Sequence, residues 1–339
     1  MLSAYGWSPA LQHDFTRFAA QGLVPARVTV QQRGRFRLVT ERGETESRIS
    51  GRFAHEAAEG DYPVTGDWVA VELKADVAVI QHVLPRATVF TRKAAGPSGA
   101  VQVVAANVDV ALLAASLNAD LNLRRLERYL ATTYESGARP VIVLTKADAC
   151  DDVATLVADV EAIAFGAPVI ACSVVTGEGL AALSAHLLPG ETAVLLGSSG
   201  VGKSTLVNAL AGSDLMVTQA IREDDAHGRH TTTHRELILL PASAMVPGAL
   251  ILHTPGMREL GLMDADDGLS TTFEDIEELA EACRFSDCHH GNEPGCAVRS
   301  ALERGELDPG RWKSFLKLQK ELAFQARKRA QLHRQDGAR

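Results

Sequence analysis

Residues Gly197, Ser198, Ser199, Gly200, Val201, Gly202, Lys203 and Ser204 fit the pattern G-x-x-x-x-G-K-[ST]. This pattern constrains the fold because it works only as a tight turn between a buried strand and a helix. Its glycines let the backbone curl, so that successive N–H groups converge on phosphate oxygens. The following helix adds the positive end of its dipole. The flanks fit: TAVLLG is an apolar run of strand length, and STLVNALA is a good helix. Gly197 to Thr205 are therefore expected to hold a nucleotide. Lys203 should reach the β- and γ-phosphates, and Ser204 should ligate Mg²⁺ through its hydroxyl. A glycine turn in another kind of α/β protein is the plain alternative, and the strand–helix context argues against it.

The chain around this loop is long enough for several domains, at 339 residues with 46% hydrophobic and 22% charged. Residues 1–26 read as a helical extension with Leu11, Phe15, Phe18 and Leu23 on its apolar face. From 27 to 93 short alternating segments such as RFRLVTE and DWVAVEL are separated by turn residues. That texture predicts a small β-barrel. From 94 to 263 apolar strands (VDVALLAASL, PVIVLTK, PVIACS, TAVLLG, ELILLP, ALILHT) alternate with helices. This predicts a mostly parallel sheet covered on both faces. From 264 to 339 the strands stop, and helices surround a cluster of cysteines.

A phosphate loop does not choose its base. The strand VIVLTKAD ends in Thr145, Lys146, Ala147 and Asp148, which resembles the [NT]-K-x-D motif of GTPases. The motif's aspartate accepts hydrogen bonds from guanine N1–H and the exocyclic amine. Adenine would leave that carboxylate unpaired. Lys146 should lie along the base and brace the phosphate loop. The next strand ends at Cys172-Ser173, followed by Thr176-Gly177-Glu178-Gly179, and resembles the GTPase loop that contacts the guanine oxygen. GTP and GDP are the expected ligands; an ATP-using kinase is disfavoured by Asp148.

Here the base-reading loops precede the phosphate loop. After it come Gly228-Arg229-His230-Thr231-Thr232-Thr233 and then His253-Thr254-Pro255-Gly256. The second resembles the D-x-x-G loop that senses the γ-phosphate. The order is a circular permutation. With the barrel before it and the cysteines after it, the chain resembles the ribosome small subunit-dependent GTPase A family over roughly residues 27 to 330. The resemblance implies an OB-fold, a permuted P-loop GTPase domain and a zinc domain. It also implies binding to the small ribosomal subunit and its rRNA, with GTP hydrolysis late in that subunit's maturation.

One of Thr231 to Thr233, with Thr232 the choice, should sense the γ-phosphate and complete the Mg²⁺ shell. Two departures bear on hydrolysis. His253 stands where the family's aspartate would hold a Mg²⁺-bound water, which predicts weaker Mg²⁺ affinity. Met257 follows Gly256 where many GTPases carry a water-orienting glutamine. His230 is the candidate to orient the water, against the plainer reading of a solvent- or RNA-facing histidine. Slow turnover is expected of the free protein. A GTP-dependent binding switch without hydrolysis is the nearest rival.

Cys283-x4-Cys288-x-His290-x5-Cys296 offers three thiols and an imidazole. That donor set suits tetrahedral Zn²⁺ in a closed, structural site. His289 is a rival ligand; the family spacing, with Glu293-Pro294-Gly295 before the last cysteine, favours His290 and one zinc per chain. Cys150 and Cys172 read as ordinary core or loop residues.

The net charge of −8 argues against wholesale polyanion binding, but basic residues cluster locally. Arg27, Arg33, Arg35, Arg37, Arg42, Arg48 and Arg52 mark the barrel. Arg311, Lys313, Lys317, Lys320, Arg327, Lys328, Arg329, Arg334 and Arg339 mark the last segment. Both are candidate rRNA surfaces, with Phe36, Trp68 and Trp312 as possible stacking partners, although core packing is the better reading of Trp68. No run reaches the roughly 18–20 apolar residues of a membrane helix, and the N-terminus lacks a secretory pattern. A cytoplasmic monomer is expected.

Overall fold

The structure, a computed structural model, describes residues 1–32, 34–74, 77–93, 101–118, 121–216, 235–254, 266–291 and 293–336. His230, Thr232, Gly256 and Met257 lie outside these residues, as do Arg33 and Arg339.

The first helix, α1 (Pro9–Ala19), starts with Pro9 after Ser8, whose hydroxyl caps Leu11 N–H. Five strands follow: β1 (Val24–Gln32), β2 (Arg35–Thr40), β3 (Gly43–Ile49), β4 (Trp68–Leu73) and β5 (Ala78–Val83). A short helix, α2 (Gly51–Glu56), lies between β3 and β4. The strands run in the order β1-β2-β3-β5-β4, and β4 pairs back onto β1 to close the barrel. Period-two alternation produces the interior: Ala26 and Val28, Phe36 and Leu38, Val69 and Val71, Ala78 and Ile80 all point inward. The N-terminal segment covers one flank. Leu2, Phe15 and Phe18 pack on Val39, Trp68, Ala70 and Leu84, and Trp7 meets Trp68 edge-on at 4.8 Å.

Two elements differ from the sequence reading. Val24 to Ala26 belong to β1, not to the helical extension. The strand β6 (Val89–Lys93) lies outside the barrel. It pairs with β7 (Val101–Ala106) and packs Phe90 into the next domain's core. Alternation marks a strand but does not say which neighbour it pairs with.

That next domain contains β8 (Val110–Ser116), α3 (Leu123–Ser136), β9 (Arg139–Thr145), α4 (Val153–Ala164), β10 (Val169–Ala171) and α5 (Leu180–Ser184). It continues with β11 (Thr192–Leu196), α6 (Lys203–Ala211), β12 (Arg235–Leu239) and β13 (Leu250–His253). The sheet order is β10-β9-β8-β11-β13-β12, parallel except for β12. Every residue of β8 is buried, as a central strand covered on both faces requires. Leu113, Leu126, Leu130 and Ile142 are in one facing core, and Leu112, Val143, Leu206 and Leu210 in the other.

The barrel and this sheet are hydrogen-bonded together. β1 pairs with β12, matching Val30 to Glu236 and Gln31 to Arg235. Arg27 adds a second tie, and it corrects the reading of that residue as RNA-facing. Its side chain is 2% exposed. It donates to the carbonyls of Tyr5, Gly66 (3.3 Å) and Asn107 (3.1 Å) and to Thr192 Oγ1 (2.8 Å). One guanidinium thus joins the N-terminal turn, the barrel and the nucleotide domain. Burial pulls its pKa down to about 10.

The C-terminal domain contains α7 (Asp266–Thr272), α8 (Glu274–Glu281), α9 (Ala297–Arg304) and α10 (Pro309–Asp336). Its core gathers Phe273, Ile276, Val298, Phe315 and Leu318. Arg311 is a second basic residue that the sequence reading misplaced. It is 4% exposed, donates to both Asp275 oxygens (2.8 and 2.7 Å) and pairs with Glu127 Oε1 of α3 at 3.0 Å. Phe36 and Trp68 are core residues, and Trp312 stacks on Phe315 at 5.6 Å. Arg311 faces the junction while Lys313, two residues on, is exposed, and composition cannot tell the two apart.

Candidate nucleotide site and metal centre

The phosphate loop connects β11 to α6 at the carboxyl end of the sheet, where open α/β sheets bind ligands. Gly197 has φ 153° and Gly202 φ 97°. A Cβ on Gly197 would lie 2.5 Å from the Ala114 carbonyl of β8. Only glycine lets the loop leave the sheet so close to its neighbour. Gly202 caps α6, and Val201 is anchored in the core at 1% exposure. Ser204 is half-buried and Thr205 exposed. Lys203 folds back over the loop, donating to the carbonyls of Gly197 (2.8 Å) and Ser198 (2.5 Å).

The base-reading strand end meets this loop directly. Thr145 Oγ1 donates to the Val201 carbonyl at 2.6 Å, and Lys146 Nζ to the Gly200 carbonyl at 2.9 Å. Lys146 holds a left-handed conformation, φ 61°, uncommon for a side-chain-bearing residue. The chain turns there into a short helical turn, Ala147–Ala149, which presents Asp148. Ala147 N–H donates to the Cys172 carbonyl at 3.2 Å. Ser173, fully buried, donates its hydroxyl to Asp148 Oδ1 at 2.5 Å and accepts from the N–H groups of Val175 and Thr176. Three loops far apart in sequence thus form one wall. Cys172 is buried beside it, and burial raises its thiol pKa to about 11, so it is neutral packing.

Sequence reasoning missed a contact from the opposite side. Arg125, in the first turn of α3, donates from Nη1 to Ser198 Oγ at 2.8 Å. The sequence reads as helical there, but no spacing ties position 125 to position 198.

In the C-terminal domain, Cys283, Cys288, His290 and Cys296 converge, with one ligand atom from each within 4.8 Å of all the others. His290 Nδ1 lies 3.5 Å from Cys283 Sγ and 3.6 Å from Cys296 Sγ, and those sulfurs are 3.9 Å apart. Bonds of about 2.3 Å to sulfur and about 2.0 Å to nitrogen at tetrahedral angles place ligands about 3.5–3.8 Å apart. The donor set therefore fits zinc in both chemistry and size. His289 is exposed and outside the cluster. His290 reaches inward through φ 58° and meets Trp312 edge-on at 5.7 Å.

Comparison with known proteins agrees with this geometry. The RsgA GTPase family profile matches residues 83–263. The chain is 46% identical to the small ribosomal subunit biogenesis GTPase RsgA of Opitutus terrae, over 96% of this chain and 91% of that one. It is also 46% identical to the protein of that name from Streptomyces coelicolor, over 94% and 86%. Among solved structures it resembles YjeQ from Thermotoga maritima, with TM-score 0.66 and 25% identity, covering 89% of this chain and 99% of that one. It also resembles YloQ, a circularly permuted GTPase, with TM-score 0.62 and 26% identity over 89% and 95%. With its barrel, permuted nucleotide domain and cysteine–histidine cluster, the chain belongs to the RsgA GTPase family.

Proposed function

We propose that this chain binds the small ribosomal subunit through its rRNA and hydrolyses GTP there during late maturation, with turnover stimulated by the subunit. The observation that carries the nucleotide reading is the Asp148–Ser173 bond beside the Lys146–Gly200 bond. It fixes an acceptor for guanine's two donors against a loop made for phosphates. Thr145, Lys146, Ala147, Asp148 and Ser173 hold the base. Gly197, Ser198, Ser199, Gly200, Val201, Gly202, Lys203, Ser204 and Thr205 hold the phosphates, and Ser204 holds Mg²⁺, which supplies positive charge to them. His230, Thr232 and Gly256 are assigned to water orientation, Mg²⁺ and γ-phosphate sensing on sequence alone.

Cys283, Cys288, His290 and Cys296 hold zinc, which cross-links the segment between α8 and α9. The partner reading rests on the names of the relatives and on charge. Arg35, Arg37, Arg42, Arg48 and Arg52 are exposed on the barrel, and Lys313, Lys317, Lys320 and Arg327 on α10. No helix among the described residues is long and apolar enough to cross a membrane. We infer a cytoplasmic monomer.

The test is GTP hydrolysis by the purified chain with and without small subunits, using ATP and large subunits as controls. Stimulation by small subunits, with GTP only, is the expected result. Tight GTP binding without stimulation would replace this reading with a binding switch.

A further inference from the structure

Helix α10 carries two opposite stripes. At about 100° per residue, Arg311, Phe315, Leu318 and Leu322 share one side, and all four are buried. Lys313, Lys317, Lys320, Phe324 and Arg327 follow one another at steps of 4, 3, 4 and 3. That spacing keeps them within an arc of about 80° on the other side. All five are exposed, Phe324 to 62%. We propose that this stripe docks rRNA at an unpaired nucleotide, with its cations on the phosphates and the Phe324 ring stacked on the uncovered base. The inference rests on the rRNA reading above and adds to it the form of RNA that α10 takes.

Three observations support it. First, the stripe carries charge of one sign. Glu321 is the one acid between Pro309 and Gln335. Both its oxygens are turned to Arg128 of α3, at 2.9 Å each. The acid of the helix is thus used at a domain junction, while the lysines face outward in a chain of net charge −8. A polyanion is the partner that such a face suits. Second, the stripe is long and evenly spaced. From Lys313 to Arg327 it rises about 21 Å, with successive members about 4.5–6 Å apart along the axis. Such steps suit the repeating phosphates and bases of one nucleic-acid strand.

Third, Phe324 stands in the middle of the polar side. A single exposed apolar residue is ordinary on a protein surface; its position is what distinguishes this one. Leu322 already fills the buried side. Phenylalanine is also a poorer helix former than alanine, lysine, glutamine or arginine, which surround it. Neither packing nor helix propensity accounts for a ring set between Lys320 and Arg327 on the stripe. A base does, because aromatic rings beside cations stack on bases that have left the helix stack. A continuous duplex covers its base faces, so the ring gains from RNA only where a nucleotide is unpaired.

The test uses the full-length chain saturated with GDP. Its binding is measured to a hairpin RNA with one bulged nucleotide, to the same hairpin fully paired, and to small subunits. Wild type is compared with Phe324→Ala, Phe324→Trp and Lys317→Glu/Lys320→Glu, with thermal unfolding as the check that each variant is folded. Phe324→Ala should lower affinity for the bulged RNA by at least about fivefold and leave the paired RNA unchanged, and tryptophan should restore the difference. The double lysine variant should weaken binding to both RNAs and flatten its salt dependence. A photoreactive iodouracil at the bulge should crosslink to the tryptic peptide 321–327 of the wild type. An equal loss on both RNAs in Phe324→Ala, or a loss on neither, would overturn the proposal. Weaker subunit binding with both RNA affinities unchanged would overturn it in favour of a protein partner. A wild-type chain that binds neither RNA nor small subunits would instead overturn the rRNA reading, and this inference with it.

Discussion

Ser173 donates its hydroxyl to Asp148 across 2.5 Å, while two backbone N–H groups donate to the same hydroxyl. The carboxylate is oriented before any base arrives. Asp148→Asn presents an amide where guanine needs an acceptor, and should weaken GTP binding by at least about 100-fold. The amide can donate to the carbonyl that xanthine carries in place of guanine's amine. Xanthosine triphosphate affinity should therefore rise in the same variant, and competition between the two nucleotides measures both.

Arg27 and its exposed neighbours should separate cleanly. Arg27→Met removes the guanidinium that donates to the carbonyls of Tyr5 and Asn107, and leaves the Gly66 carbonyl with the Asn107 amide alone. Stability should fall by about 2–4 kcal/mol, read by denaturant unfolding. Arg35→Glu and Arg37→Glu should leave stability within about 0.5 kcal/mol and weaken small-subunit binding. The salt dependence of that binding should flatten by about 0.7 in log–log slope for each phosphate no longer neutralised.

Glu127 is buried between Arg124 and Arg311, and burial outweighs both in raising its pKa above 4.5. Between 4.5 and that raised value the native state binds a proton that the unfolded state has released. Stability therefore falls as pH rises through this window. Glu127→Gln should lack this slope, so the wild type's advantage over it should shrink as pH rises there. At pH 7 the variant should still be weaker by about 1.5–3 kcal/mol, because its charge-assisted bonds are gone.

Removing zinc should loosen the C-terminal helices while leaving nucleotide binding intact. Trp312 lies between His290 and Phe315, so its emission should shift on chelation in a Trp7→Phe/Trp68→Phe background. GDP affinity should be unchanged. Zinc content should fall from one per chain to near zero in Cys283→Ser/Cys288→Ser protein, measured by elemental analysis.

His253 ends β13 half-buried, its Cα opposite Glu236. A neutral imidazole holds a metal-bound water less firmly than a carboxylate does. His253→Asp should tighten Mg²⁺ binding by about 3- to 10-fold, seen as a lower midpoint in Mg²⁺ titrations of nucleotide exchange.

The nucleotide loops and the cysteine cluster were legible because their chemistry lies in short, fixed spacings. Gly197 to Ser204 and Cys283 to Cys296 carry their geometry locally. The barrel was legible as texture, since inward residues such as Phe36, Leu38, Val69 and Val71 alternate strictly. What sequence could not give was long-range assignment. Arg27 and Arg311 have the same composition signal as Arg35 and Lys317, yet the first pair is buried at junctions. Strand β6 alternates like a barrel strand but pairs with β7. Arg125 meets Ser198 across 73 positions, a relation that exists only once both elements are docked.

The ladder between β1 and β12 gives the molecule a mechanical property beyond its chemistry. Gln31 and Arg235 share a register, a side-chain bond at 3.2 Å joins them, and Thr65 Oγ1 grips the Arg235 carbonyl at 3.3 Å. Force applied to the barrel is delivered to the strand that continues into β13 and His253. Amide protons on both sides of this seam should exchange with solvent in one cooperative opening. Pulling the barrel from the nucleotide domain should give a single rupture rather than two.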